Sequence, residues 1–490
     1  MMKVEKDYVT YEEFGAVGDG VTDDMPAIVA CHAHANAHGL DVVGREGAVY
    51  YIGGRDLTAE VRTNVRWGGA RFIVDDRELE RITQVCFHVS SAHEHFRPEI
   101  SSLSHGQEQV DFPHDGNVYV RVYNKNRSVY IRKGLNQNNG TPASDCFSVD
   151  AAGHVTGQIN WDYDTVTDAV AFSTDDAPIT IEGGIFTTIA NRRPSFYHYH
   201  NRNISVTRSH VTVVGLTHYI EGEGEQGAPY SGFLTAENAL DVTFRDCLMT
   251  AHKTYWTASQ LPGQQVPMGS YDVSVTAVIG MRLIRVRQTT DITDTRYWGL
   301  MGSNFSKEFF MEDCEMSRFD AHMGVTNGCI RNCKLGHMGV NLIGFGEFVI
   351  ENSTFLCSRT VSFRSDYGAF FHGTVILRNC TWIPTVGEGK KTAEILHARN
   401  EGDHDFGYEC GMPRTMVIDG LVIDDRHLPH EALTYFLFPN YDKDFSENKP
   451  YPYGTPTNVI ARNIRSLAGR EICTFAVPAQ YPALSELVLV

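Results

Sequence analysis

The sequence predicts an all-β solenoid, a single-stranded parallel β-helix running through most of the 490 residues. Two observations carry that expectation. Short apolar strands recur, each interrupted by an Asp or Asn, and Asp313, Asn332, Asn352 and Asn379 stand 19, 20 and 27 residues apart. Glycine is abundant (44) and proline scarce (18), alongside many Val, Thr, Ile and aromatic residues, which suits short strands joined by turns. Length alone suggests about three domains at roughly 150 residues each. A solenoid runs one core through several hundred residues, so 1–490 reads as a single domain.

The N-terminal segment 14–40 reads as a cap. Gly15, Gly18 and Gly20 punctuate a turn. Thr22 or Asp23 is then placed to cap a helix, with Asp23 and Asp24 in its positive first turn and Pro26 close to its start. Ala27, Ile28, Cys31 and Ala35 form a small apolar face at helical spacing.

Residues 85–178 are irregular, with segments such as Asn136-Gln-Asn-Asn-Gly and strands such as Val118-Tyr-Val-Arg-Val-Tyr. They read as early coils with insertions or as an inserted β subdomain. Regular coils occupy about 179–470. Examples are Val242-Thr-Phe-Arg-Asp-Cys-Leu-Met, Cys329-Ile-Arg-Asn-Cys-Lys-Leu and Val375-Ile-Leu-Arg-Asn-Cys-Thr-Trp. Each unit buries its apolar face only by stacking on its neighbours. The Asp or Asn at the bend has a structural role, since these residues tolerate left-handed backbone. Asp246 is a further anchor 67 residues before Asp313, and Arg287 fills one coil between them.

Charge and composition narrow the function. Lys+Arg 42 against Asp+Glu 60 gives −18, which argues against a general nucleic-acid binder or a coat for anionic membranes. A local basic site for an acidic sugar is compatible with it. The 11 cysteines are expected reduced and mostly buried. The first residues have no apolar signal region, so the literal reading is cytoplasmic, as a trimmed secreted chain would also look.

In a parallel solenoid, function shows as residues one coil apart, about 4.8 Å from each other. Seven residues after successive anchors stand Lys253, Asp294 and Asp320, expected along one side. Asp294 and Asp320 are the candidate acid/base or nucleophile pair, because like charges about 5 Å apart push one carboxyl up into a proton donor. His322 and His337 are candidates for orientation or proton transfer. Trp298, Arg296, Arg318 and Tyr255 suit a sugar, with rings for pyranose faces and charges for hydroxyls. The acidic loop with Glu221 and Glu223, followed by Tyr230, and the segment from Tyr197 through His200 to Arg202 are expected as further walls. No metal signature is present and no cofactor is expected; calcium is left open without a residue pattern behind it.

The segment Phe14-Gly-Ala-Val-Gly-Asp-Gly-Val-Thr-Asp-Asp-Met-Pro-Ala-Ile28 resembles the opening of the pectate-lyase-like superfamily. There, such a segment leads into the helix that caps a right-handed parallel β-helix. The resemblance implies that fold and carries no chemistry, since polygalacturonase-like hydrolases, lyases, epimerases and phage tail spikes share it. Gly336-His337-Met-Gly339-Val-Asn-Leu-Ile-Gly344 is similar to the Gly-His-Gly segment of polygalacturonases, but their Asn-Thr-Asp and paired Asp-Asp motifs are missing.

Three functions follow as expectations. The first is a glycoside hydrolase or transglycosylase on a poly- or oligosaccharide, using Asp294 and Asp320. The second is a lyase or epimerase on a uronate-containing glycan, using Lys253, Arg296, Arg318 and the histidines. The third is a glycan-binding or spike-like solenoid. The expected partner is a glycan, with no nucleic acid and no membrane, and the expected state is a monomer or homotrimer.

Overall fold

The computed structural model describes residues 6–489 except 175, 197, 259–262, 430–432 and 447. Short strands stack in parallel ladders that wind around one interior, so the chain is a parallel β-helix. In one ladder Ile204–Val206 lies on Leu234–Glu237, then Val273–Thr276, then the start of Met301–Glu312. It continues through Glu315–Arg331, Lys334–Leu342, Val361–Phe363 and Leu396–His397. Inward positions alternate with outward ones, and the inward side chains form one continuous apolar core. Among the described residues no helix is long and apolar enough to cross a membrane.

The bends explain the repeat. Asp246, Arg285, Asp313, Asn332, Asn352 and Asn379 occupy the same place in successive coils, all with φ between 51° and 55°; Gly420 (φ 78°) and then Asn463 (φ 55°) continue the series. Left-handed backbone costs roughly 1–2 kcal/mol for most residues and least for Gly, Asn and Asp. The expected anchors therefore sit where expected, with one correction. The coil between Asp246 and Asp313 bends at Arg285, not Arg287, because Asp246 N–H donates to Ile284 O. Arg285 pairs with Asp246 of the preceding coil at 2.6 Å. Cys247, Cys314, Cys333 and Cys380 each follow an anchor and point inside, and all are free thiols.

The helix Met25–His38 covers the N-terminal end, burying Met25, Ala27, Ile28, Cys31, His32 and Ala35. It starts later than expected. Residues Asp19–Asp23 form a short strand and Asp24 occupies the cap position. The Asp24 carboxylate turns back to accept Val17 N–H at 2.6 Å, fixing the glycine turn rather than the helix end.

Val65–Asp75 pairs directly with Ile179–Ile189, and Phe87–Val89 with Ile204–Val206. The residues between therefore add no coil. They form an antiparallel sheet of Val118–Val129, Thr141–Val149, Val155–Thr156 and Asp168–Ser173 with its own core. That core packs on Phe345, Tyr367 and Phe370 of later coils. Lys307, pointing out of the solenoid, meets Asp145 of this sheet at 2.5 Å with both side chains buried. The inserted sheet is thus fixed over the outer face of the coils carrying residues 305–370.

Candidate functional site

A groove of about 960 Å³ runs along the outer face of the solenoid beside the inserted sheet. Its floor is built from one ladder. Ser274, Asn304, His322, Arg364 and Asn400 follow one another along six coils, about 24 Å at roughly 4.8 Å per coil. Arg132 and Lys133, at the end of the inserted sheet, form one wall. Val266, Pro267, Gly269 and Trp298 form the other.

Asp320 lies between the core residues Phe319 and Ala321, so alternation turns it outward into this region. It is nevertheless fully buried, because Arg318 (2.6 Å), Arg364 (2.9 Å) and the Tyr271 hydroxyl (2.5 Å) close over it. Burial works to raise this carboxyl, but the charges of Arg318 and Arg364 reverse that and hold it well below the usual range. Arg364 also grips Asp366 through Nε and Nη2, at 3.1 and 2.8 Å. Arg132 reaches Asp366 from the other side at 2.8 Å. Asp366 is likewise depressed: Arg364 and Arg132 outweigh the opposing effect of burial. Glu401 is lowered by its bonds to Lys133 and Arg399.

His322 owes its position to a bulge. Ser303 pairs with Ala321 and Asn304 with Met323, leaving His322 as the extra residue, re-aimed into the groove. Its Nδ1 is 3.1 Å from Asn304 Oδ1, an acceptor, so Nδ1 carries the proton. Nε2 is then unprotonated and accepts from the Tyr367 hydroxyl at 3.4 Å. Burial, with Arg364 adding to it, lowers the imidazole to about 3 and keeps it neutral. Trp298 stands over Arg318 at 5.0 Å and edge-on to Tyr271.

The structure gathers only part of the expected set here. Trp298 and His322 line the groove, and Arg318 and Asp320 lie directly beneath its surface. Asp294 does not join Asp320. Counted from the true bend at Arg285 it falls nine residues on, in a turn, where Arg296 binds it at 2.5 Å and lowers it to about 2. The expected carboxylate pair is thus not formed, and neither member is raised.

Lys253 also departs from that line. It pairs with Tyr297, and its Nζ donates to Gly224 O at 2.8 Å. Tyr255 reaches Glu223 at 3.5 Å, Glu221 is exposed at a strand end, and His337 Nε2–H donates to Tyr297 O at 3.1 Å. His200, Arg202 and Tyr230 are buried rather than walls: Arg202 meets Asp76 at 3.4 Å, and the Tyr230 hydroxyl binds Asn191. Tyr197 lies outside the described residues.

Sequence reasoning missed Arg132, Asn304, Arg364, Asp366, Tyr367 and Glu401. A register carried on past residue 344 points to Arg364, which lies two residues beyond Ser362, the partner of Asn341, itself the partner of Asp320. It also missed Asp272, which binds His218 at 2.7 Å and His252 at 3.2 Å behind the groove. Burial opposes the charge on His252, but the Asp272 and Glu223 carboxylates overcome it and raise the imidazole to about 9. Among the described residues no group of three or more His, Cys, Asp or Glu is disposed to hold a metal ion.

No protein-family model matches the chain, and no curated protein matches it. Among solved structures it is similar to the tailspike gp49 of Pseudomonas phage LKA1, at 14% identity over 96% of this chain and 79% of that one, TM-score 0.49. The tailspike gp61 of Pseudomonas phage phi297 gives 12% identity over 88% and 80%, TM-score 0.48. An exopolygalacturonase from Thermotoga maritima gives 9% over 94% and 92%, TM-score 0.36. Likeness at this level carries no argument about chemistry.

Proposed function

We propose that the chain binds an acidic polysaccharide along the groove and cleaves it by β-elimination. The observation that carries this is the charge balance. Among the described residues, Arg132, Lys133, Arg318, Arg364 and Arg399 form ion pairs only with Asp320, Asp366 and Glu401, in a chain of net charge −18. The excess of cations suits a uronate carboxylate. Hydrolysis by two carboxyls needs one of them protonated near neutral pH. All three carboxyls here are held low by Arg or Lys, which favours elimination instead.

In that reaction His322 Nε2 takes the proton from the carbon bearing the carboxylate. The electron pair forms the new carbon–carbon double bond, the bond to the glycosidic oxygen breaks, and a hydroxyl such as Tyr367 or water returns a proton to the leaving oxygen. A substrate carboxylate beside Arg364 also offsets the positive field on His322, moving it toward a competent base.

The test is product identity on a panel of acidic polysaccharides. Elimination yields unsaturated ends that absorb in the ultraviolet. New reducing ends without that absorbance identify hydrolysis and overturn the reading.

A further inference from the structure

Beyond Asn400 and His404 the groove does not end. Both residues also border a second cleft, of about 880 Å³, formed over the loops 399–414 and 450–455. The loops meet where Gly411 bridges Gly454. A Cβ on Gly411 would stand 3.0 Å from Gly454 Cα, so the cleft floor requires this close backbone approach.

The two clefts differ in how their charges are used. In the first, Arg132, Lys133, Arg364 and Arg399 each hold a carboxylate. In the second, Arg127 and Arg414 form no ion pair among the described residues. Arg127 lies over the Trp161 ring and donates to Gly407 O, and Arg414 is exposed. Asp405 and Glu409, also on this wall, are exposed acceptors without an ion pair among the described residues. Tyr451 is 44% exposed, so a ring face is open at the rim. Asp405 accepts Gly407 N–H at 2.8 Å through one carboxylate oxygen. Two guanidiniums without a carboxylate partner, two exposed carboxylates and an open aromatic face together match a hydroxylated, acidic sugar ring: carboxylate and oxygens to the arginines, hydroxyls to the acids, the ring face to the tyrosine.

We infer that this cleft is a distal subsite that holds further units of the same acidic chain, continuous with the reacting groove. The inference rests on the proposed function for its ligand class. It adds that the protein engages an extended segment, with the arginines here giving affinity without touching the reacting bond.

The test uses the full chain with polygalacturonate, alginate and hyaluronan as probes and dextran as a neutral control. Calorimetric binding and ultraviolet-absorbing product are read on wild type, Arg414→Gln, and Arg414→Gln with Arg127→Gln. Melting curves check that the variants fold, and the exposed Arg414 keeps the single variant informative if the double one does not. The expected result is binding of at least one acidic probe, none to dextran, and roughly tenfold weaker binding for Arg414→Gln, about 1.4 kcal/mol. Unchanged binding by folded variants, or no binding of any acidic probe, overturns the subsite. Arginine-dependent binding without absorbing product leaves the subsite standing and removes the elimination reading. Absorbing product with arginine-independent binding does the reverse.

Discussion

Arg364 Nη1 stands 2.9 Å from Asp320 Oδ1 while its other edge binds Asp366, so one guanidinium holds two carboxylates beside His322. This arrangement sets the charge state of the groove. Arg364→Met leaves both carboxylates short of a partner. It is expected to cost about 3–5 kcal/mol, as removal of one member of a buried ion pair does. Arg364→Lys keeps a charge but cannot serve both edges of the fork, so it is expected to retain more stability than Arg364→Met and still lose activity. Thermal melts and turnover on the same preparations check both.

Gly269 is required by packing. A Cβ there would lie 2.6 Å from Trp298 Nε1, and Trp298 in turn covers Arg318. Gly269→Ala is expected to displace the indole and cost about 1–3 kcal/mol. Tryptophan fluorescence should shift together with the melting temperature; an unchanged spectrum and melt would show that the wall yields freely.

His252 gives stability a pH dependence with a definite sign. Its folded value, raised to about 9 by the Asp272 and Glu223 carboxylates against the cost of burial, exceeds the ordinary histidine value near 6.5. The folded state therefore binds the extra proton. The contribution is fully present below about pH 6.5 and is lost as pH rises through about 9. Wild type is expected to lose stability over that window, and His252→Gln to lose less of it. Equal slopes for the two proteins would contradict the assignment.

Much of the fold was legible because its signal is local and repeated. Asp246, Asp313, Asn332, Asn352 and Asn379 mark bends where the backbone is left-handed, and those residue types are preferred there. Arg285 broke the pattern: nothing in an arginine announces left-handed backbone, so the anchor slid to Arg287 and carried Asp294 into a supposed catalytic pair. The site was legible for Arg318 and Asp320, which follow alternation along one strand, and for the neighbouring His322 and Trp298. Arg132 was invisible, since it comes to Asp366 from an inserted sheet more than two hundred residues away in the chain. Tyr230, His200 and Arg202 were misread because a polar run predicts exposure, whereas here buried partners such as Asn191 and Asp76 absorb it.

The proposed reaction depends on a neutral His322 acting as the base in an arginine-rich groove. The most direct measurement follows ultraviolet absorbance while wild type and His322→Gln act on acidic polysaccharides, with binding and melting measured on the same proteins. Wild type is expected to release absorbing product. The variant is expected to be slower by roughly 10²–10⁴-fold, with the fold and glycan binding retained. Cleavage without absorbing product, or a folded His322→Gln protein that turns over at the wild-type rate, would contradict it.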